Sequence, residues 1–201
     1  QAARIAKWSE AAGASCLLVF PPQPIMMMQG QMNGEMGLTH FRTIADATDL
    51  PMIAFQYPGE QAYRMETLHR MIEKIPNLVA IKDWNMGQVH ERHVRELQSS
   101  PRPFNVLTTN SAWLMSSLTM GAKGLLSGSG SVIADLQVAL FNAVQQGDLK
   151  LAQTINDQIY PTAQCFYGPP ATDMHNRMKE ALVMLGRMPN GVVRPPLVKI
   201  N

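Results

Sequence analysis

Short apolar runs alternate with stretches of helical periodicity along the whole chain. Gln1–Ala12 places Ile5, Trp8 and Ala12 at helical spacing, and Gly13 stops the helix. Cys16–Phe20 (CLLVF) is a continuous apolar run closed by Pro21-Pro22, the pattern of a strand buried on both faces. A Met-rich loop follows, then a helix marked by Phe41, Ile44, Ala45 and Thr48. The unit then repeats. Met52–Phe55 (MIAF) predicts a strand, with a helix through Leu68, Met71, Ile72 and Ile75 behind it. Leu78–Ile81 (LVAI) precedes a helix with His90, Val94 and Leu97, and Phe104–Thr108 (FNVLT) precedes one through Trp113, Leu114 and Leu118. Gly124–Ser127 (GLLS) is the last predicted strand, before a helix through Leu136, Leu140 and Val144.

These are five βα units, with about 20 to 36 residues from one strand to the next, the length that a right-handed crossover between parallel strands requires. Lys150–Tyr160 and His175–Leu185 add helices, separated at Gly168-Pro169-Pro170, and no low-complexity linker divides what reads as one α/β domain. A doubly wound sheet and a (β/α)₈ barrel share this alternation. Doubly wound nucleotide binders usually place a Gly-rich turn after the first strand, whereas Pro21-Pro22 has no backbone N–H to offer a phosphate. The barrel is favoured.

Composition narrows the class. The 201 residues suffice for one sizeable core, and a hydrophobic fraction of 46% excludes a disordered chain. The net charge of +2 is scattered, which argues against a nucleic-acid-binding face. No apolar run approaches the ~20 residues of a membrane span. Gln1-Ala2-Ala3-Arg4-Ile5 lacks the basic-then-apolar order of a secretory signal. Two cysteines, Cys16 and Cys165, make no disulfide framework, so a cytoplasmic setting is expected. The chain holds 15 methionines yet starts at Gln1, which predicts processing or a piece of a longer protein.

Parallel α/β folds carry their chemistry at the C-terminal ends of the strands. The residues there are Phe20-Pro21, Phe55-Gln56-Tyr57, Lys82-Asp83-Trp84, Thr108-Thr109-Asn110 and Ser127-Gly128-Ser129. Lys82 follows directly on Leu78–Ile81, where a cation is costly to bury unless paired or deprotonated. Two roles fit it: a lysine that reaches solvent, or a desolvated amine that forms a Schiff base with a carbonyl substrate.

The order of motifs then narrows the choice. Leu17-Leu18-Val19-Phe20-Pro21-Pro22 comes first, then His40-Phe41 and Leu50-Pro51-Met52-Ile53-Ala54-Phe55-Gln56-Tyr57-Pro58-Gly59. Pro76-Asn77-Leu78-Val79-Ala80-Ile81-Lys82-Asp83, Gly121-Ala122-Lys123-Gly124-Leu125-Leu126-Ser127 and Val193-Arg194-Pro195-Pro196-Leu197 follow in register. Together they resemble the dihydrodipicolinate synthase / N-acetylneuraminate lyase family of class I aldolase-type TIM barrels. The resemblance implies a (β/α)₈ barrel present as its last five βα units. It places strands 4–8 of the family fold in residues 1–147, with a C-terminal helical extension of the same domain in 148–201, truncated at its end. On this reading ~80 residues are missing in front, including the Gly-Thr-Thr-type loop that holds the substrate carboxylate. Cys16–Phe20 and Gly124–Ser127 would then be open sheet edges, so poor solubility or dimerisation through them is expected.

The same resemblance implies a lyase or aldolase acting on a small 2-oxo acid such as pyruvate or a keto-deoxy sugar acid. Lys82 falls on the family's Schiff-base lysine. The proton-relaying tyrosine falls on Phe55, which has no hydroxyl, and Tyr57 is a substitute only if the strand persists to reach it. A second synthase tyrosine falls on Gln23, and a carboxylate-binding arginine falls near Glu60, a reversed charge. Leu126 and Thr109 are expected beside the substrate. No metal or organic cofactor is implied, and a homodimer or homotetramer is. The losses at Phe55, Gln23 and Glu60 argue against dihydrodipicolinate synthesis itself. Two alternatives are a catalytically inactive homologue that binds a small acid, and a phosphate-binding barrel aldolase.

Four further motifs have two readings each. Gly128-Ser129-Gly130-Ser131 is either an anion-binding turn or a turn in which Ser131 caps the next helix, the second being favoured. His90-Glu91-Arg92-His93 puts two imidazoles at i, i+3, and a solvated helix face is expected over a metal site. Met26, Met27, Met28, Met32 and Met36 either line an apolar pocket or pack a loop. Tyr167-Gly168-Pro169-Pro170 reads as a turn without a chemical role.

Overall fold

The computed structural model describes residues 1–22 and 33–200, and the chain divides into two compact units. The first comprises Gln1–Thr108 with Met120–Leu125, the second Thr109–Thr119 with Leu126–Asn201.

In the first unit, β1 (Leu17–Val19), β2 (Met52–Gln56), β3 (Leu78–Asp83), β4 (Asn105–Thr108) and β5 (Gly124–Leu125) form one parallel sheet in the order β1-β2-β3-β4-β5. Between them run α2 (Gly34–Ala45), α3 (Met65–Lys74) and α4 (Gly87–Leu97), with α1 (Ala2–Ala11) ahead of β1. Each strand lies beside its predecessor. A doubly wound sheet reverses direction at a switch point, whereas this uninterrupted order is that of a barrel wall, as the sequence pattern favours.

Register sorts the side chains into two faces. Val19 lies opposite Ala54, Ala54 opposite Ile81, and Ile81 opposite Val106. All are buried, in one core with Leu38, Phe41 and Ile44 of α2, Leu68, Met71 and Ile72 of α3, and Val94 and Leu97 of α4. Burial of each large aliphatic side chain stabilises by about 1.5–3 kcal/mol. The other face presents Leu18, Ile53, Phe55, Lys82 and Leu107, with Phe55, Lys82 and Leu107 side by side across three strands. The ends of the strands are fastened by side chains. Asn77 donates to Thr48 O and Leu50 O, both at 3.1 Å, which aligns the start of β3 with the approach to β2. Arg102 donates to Ile72 O, Ile75 O and Pro76 O, satisfying carbonyls at the end of α3.

Expectations about this part of the chain are corrected at four points. The run Cys16–Phe20 is not buried on both faces: Phe20 is 49% exposed and Cys16 is exposed. The reason is position, because β1 is the outermost strand and pairs with β2 alone among the described residues. In α1, Ile5 and Trp8 are exposed and Ala6 is buried, since the helix meets its neighbours through its small residues. The strand ending at Ile81 in the sequence reading continues to Asp83, so Lys82 sits within β3. Conversely β5 stops at Leu125, leaving Leu126 and Ser127 beyond it.

The second unit holds α5 (Leu114–Thr119), α6 (Gly130–Gln145), α7 (Leu149–Tyr167) and α8 (Met174–Met184). Asp148 caps α7 by accepting from Leu151 N at 2.9 Å. The helix read as Lys150–Tyr160 runs on through Pro161 to Tyr167. Val132, Phe166 and Met178 pack together. The Arg177 guanidinium donates to the carbonyls of Phe166, Gly168, Pro169 and Pro170, tying the end of α7 to the turn before α8.

Candidate active site

Lys82 is the one cation on the open face of the sheet among Leu18, Ile53, Phe55, Lys82 and Leu107. Its Nζ lies 4.5 Å from the centroid of the Phe55 ring, and no carboxylate pairs with it among the described residues. Burial disfavours its charged form and lowers its pKa from the usual lysine value. An amine held this way reaches its neutral, nucleophilic form more easily than a solvated lysine.

Three more aromatic rings surround this pair. Phe20 meets Phe55 edge-on at 5.1 Å, Tyr57 lies 4.3 Å from Phe55, and Trp84 is 5.6 Å from Tyr57 and 6.2 Å from Phe55. The strands explain the grouping. β2 ends at Gln56, but Trp84 N donates to Gln56 O at 3.0 Å, so the two chains remain paired one residue further. The alternation therefore puts Phe55 and Tyr57, and Lys82 and Trp84, on one side. Tyr57 thus lies beside Phe55 although the strand has ended, and burial raises its hydroxyl pKa. Gln56 points the other way and is locked by two bonds to Tyr63, Nε2 to O at 2.8 Å and Oε1 from N at 2.9 Å.

Beneath Lys82, on the helix side of the sheet, Asp83 is fully buried. Its Oδ2 takes Nδ1 of His90 and Nδ1 of His93, each at 2.7 Å. Its Oδ1 accepts from Asn85 N at 3.1 Å and Asn85 Nδ2 at 2.8 Å. Burial opposes ionisation of Asp83, yet the bonds from His90, His93 and Asn85 hold its carboxyl well below the usual carboxylate range. This overturns the expectation of a solvated helix for His90-Glu91-Arg92-His93. Both imidazoles are buried because α4 lays them against the outward-facing Asp83, while Glu91 and Arg92 lie away from it. A signal existed in the sequence: Asp83 falls at an outward position of a buried strand, and a buried carboxylate demands donors. Among the described residues no group of His, Cys, Asp and Glu is arranged to hold a metal ion.

The other expected site residues fall elsewhere. Thr109 is buried and Leu126 half-buried, both in the second unit and both just past the ends of β4 and β5. Glu60 is exposed in a 3₁₀ turn, Gly59–Gln61. Gln23, Met26, Met27, Met28 and Met32 lie outside the described residues, and Met36 is exposed on α2.

Within the second unit, Ser111, Ser127, Ser129, Gln137 and Tyr167 form a hydroxyl cluster. Ser111 Oγ bonds Ser127 Oγ and, at 2.9 Å, Tyr167 OH. Gln137 Nε2 donates to Ser129 Oγ at 2.7 Å and Ser127 Oγ at 3.1 Å. Tyr167, read from sequence as part of an inert turn, ends α7 and accepts from Ser129 N at 3.0 Å. The amides of Gly130, Ser131, Val132 and Ile133 are all engaged with Ser127, Gly128 or Ser129 carbonyls. The turn therefore has no free set of N–H donors for a phosphate. The favoured capping role of Ser131 is corrected as well: its hydroxyl donates to Gly128 O at 2.9 Å from inside the helix.

A singly wound parallel sheet with its strands in sequential order is the wall of a β/α barrel, and comparison with known proteins agrees. The chain belongs to the dihydrodipicolinate synthetase family, whose model it matches over residues 1–201. It is 32% identical over 169 residues to a 4-hydroxy-tetrahydrodipicolinate synthase of Neisseria meningitidis serogroup B, covering 81% of this chain and 54% of the relative. It is 33% identical over 162 residues to the enzyme of that name from Symbiobacterium thermophilum, covering 79% and 53%. Among solved structures it resembles dihydrodipicolinate synthase from Aquifex aeolicus, with a TM-score of 0.84 at 21% identity over 99% of this chain and 65% of that one. YagE of Escherichia coli K12, a family member solved in complex with pyruvate, gives 0.86 at 21% identity over 99% and 65%. The structural likeness establishes the fold as part of a (β/α)₈ barrel, with five parallel strands among the described residues. The chain spans about half the length of the two curated relatives named here.

Proposed function

We propose that this protein is a Schiff-base-forming lyase or aldolase acting on a small 2-oxo acid such as pyruvate or a keto-deoxy sugar acid. The observation that carries the reading is Lys82, a partly desolvated amine on the inner face of a family barrel, unpaired with any carboxylate among the described residues. Neutral Lys82 Nζ adds to the keto carbon, the carbonyl oxygen takes up a proton, and the carbinolamine loses water to give a protonated imine. The imine then accepts the electron pair released in C–C cleavage, or the pair that moves on β-elimination of water; in condensation the derived enamine supplies it. Phe55 has no proton to relay, so transfer falls to Tyr57, a bound water or the substrate's own carboxylate. Tyr57 keeps its proton at neutral pH, as any tyrosine does, and burial raises its pKa further. The reading calls on no metal or organic cofactor, and places the protein in the cytoplasm as a homodimer or homotetramer.

Borohydride added with pyruvate reduces such an imine to a stable secondary amine. Intact-mass and peptide mass spectrometry then find a carboxyethyl group on Lys82, and K82M gives none. Absence of an adduct with every 2-oxo acid tried overturns the enzymatic reading. It leaves the inactive acid-binding homologue that the loss of the relay tyrosine at Phe55 would produce.

A further inference from the structure

Asp83 is the most heavily bonded side chain near the proposed site, yet the chemistry above does not use it. It lies on the face opposite Lys82, with no access to solvent. Its four accepted bonds come from three directions. His90 and His93 reach it from successive turns of α4, and Asn85 reaches it from the connection between β3 and α4. Asn85 Nδ2 also donates to Tyr57 O at 3.2 Å. One carboxylate therefore joins the end of β3, the loop that carries Trp84, the start of α4 and the end of β2 that carries Tyr57. Trp84 and Tyr57 are two of the rings standing over Lys82 and Phe55.

We infer that Asp83, His90 and His93 are positioning residues for the Schiff-base lysine, a buried hub that sets the backbone of Lys82 and the placement of Tyr57 and Trp84 from the far side of the sheet. The inference rests on the proposed Schiff-base role of Lys82. The physical case is geometric. Lys82 and Asp83 are consecutive on one strand, so a carboxylate fixed by four bonds leaves the strand end little freedom to rotate or slide. A reacting amine displaced by about 1 Å loses on the order of a hundredfold in rate. A group that only filled space would not need donors aimed at both carboxylate oxygens. Both imidazoles present Nδ1, and an asparagine at either position can present a side-chain N–H to the same point, whereas leucine of similar size cannot.

The test compares wild type, D83N, H93N and H93L in the full chain, using borohydride trapping with saturating pyruvate and with a pyruvate titration. Far-UV circular dichroism at the assay temperature confirms which variants are folded. The expected result is that H93L and D83N form the Lys82 adduct roughly tenfold or more slowly at saturation. The pyruvate concentration for half-maximal rate stays close to wild type, and H93N restores the rate toward wild type. Equal saturated rates for folded H93L and H93N overturn the inference, because the N–H donor would then be irrelevant to the amine. A wild type that traps no 2-oxo acid instead overturns the functional reading on which it stands. If H93L and D83N do not fold, an H93N rate tenfold below wild type is the overturning result.

Discussion

Replacing Asp83 with asparagine is the perturbation whose consequence can be worked most fully from the structure. Asn keeps one oxygen to accept from Asn85 N and Nδ2, but its NH₂ group faces the Nδ1 atoms of His90 and His93, both 2.7 Å from Asp83 Oδ2. Neither imidazole can donate to that group: each must switch tautomer to accept one of its N–H bonds, or stand as a buried donor without its acceptor. Hydrogen bonds to a charged group contribute about 1.5–3 kcal/mol each. Removing one partner of a buried charge cluster costs about 3–5 kcal/mol. We therefore expect D83N to lose about 3–5 kcal/mol at neutral pH, a fall in Tm of roughly 6–20 °C for a chain of this size. Urea denaturation followed by circular dichroism measures it. The loss also depends on pH in a fixed direction. The carboxyl of Asp83 titrates lower in the folded protein than in the unfolded chain. Its stabilisation is complete above the unfolded value of about 4 and is lost progressively as pH falls below it toward the folded value. The gap between wild type and D83N should be on the order of the figure above at neutral pH, and should narrow below about pH 4. A gap under about 1 kcal/mol at pH 7 would refute the argument, because it would mean that the cluster contributes no more than an exposed ion pair.

Three further outcomes are expected. The rate of adduct trapping on Lys82 should rise with pH and level off below the pH at which an ordinary lysine loses its proton, since burial lowers its pKa; a rate still climbing as for a solvated lysine contradicts the desolvated site. Ile81→Ala, at a fully buried position against the helices, should cost about 2–5 kcal/mol in denaturant titration; a cost below 1 kcal/mol would mean that this face collapses around the gap. Leu18→Lys places a charge on the exposed face of the edge strand β1 and should shift sedimenting aggregate or dimer toward monomer, whereas a wild type that is already monomeric and soluble contradicts the premise.

How much of this was legible beforehand differs between fold and site. The five strands and their helices follow from period and run length, because an apolar stripe in α3 such as Leu68, Met71, Ile72 and Ile75 can be satisfied only against a core. Lys82 and Phe55 were placed by the order of motifs, and the register puts them side by side. Boundaries were less secure. β3 runs two residues beyond its apolar stretch because Lys82 and Asp83 find partners, a ring on one face and two imidazoles on the other. Tyr57 could not be placed from Pro58 alone, since what keeps it beside Phe55 is the bond from Trp84 N to Gln56 O on the neighbouring strand.

The sequence by itself determined which segments alternate, that the sheet is parallel, and which lysine follows a buried apolar run, all of which depend on the residues within one element or on their order. Only the tertiary structure decided what His90 and His93 do. Two imidazoles at i, i+3 present the same pattern whether the helix face meets water or a neighbour. The outcome depends on which strand residue lies beneath, and here it is Asp83, whose carboxylate cannot be buried without the donors that α4 supplies. The same holds for Ser111, Ser127 and Tyr167, distant in sequence and joined by hydroxyls once their elements meet.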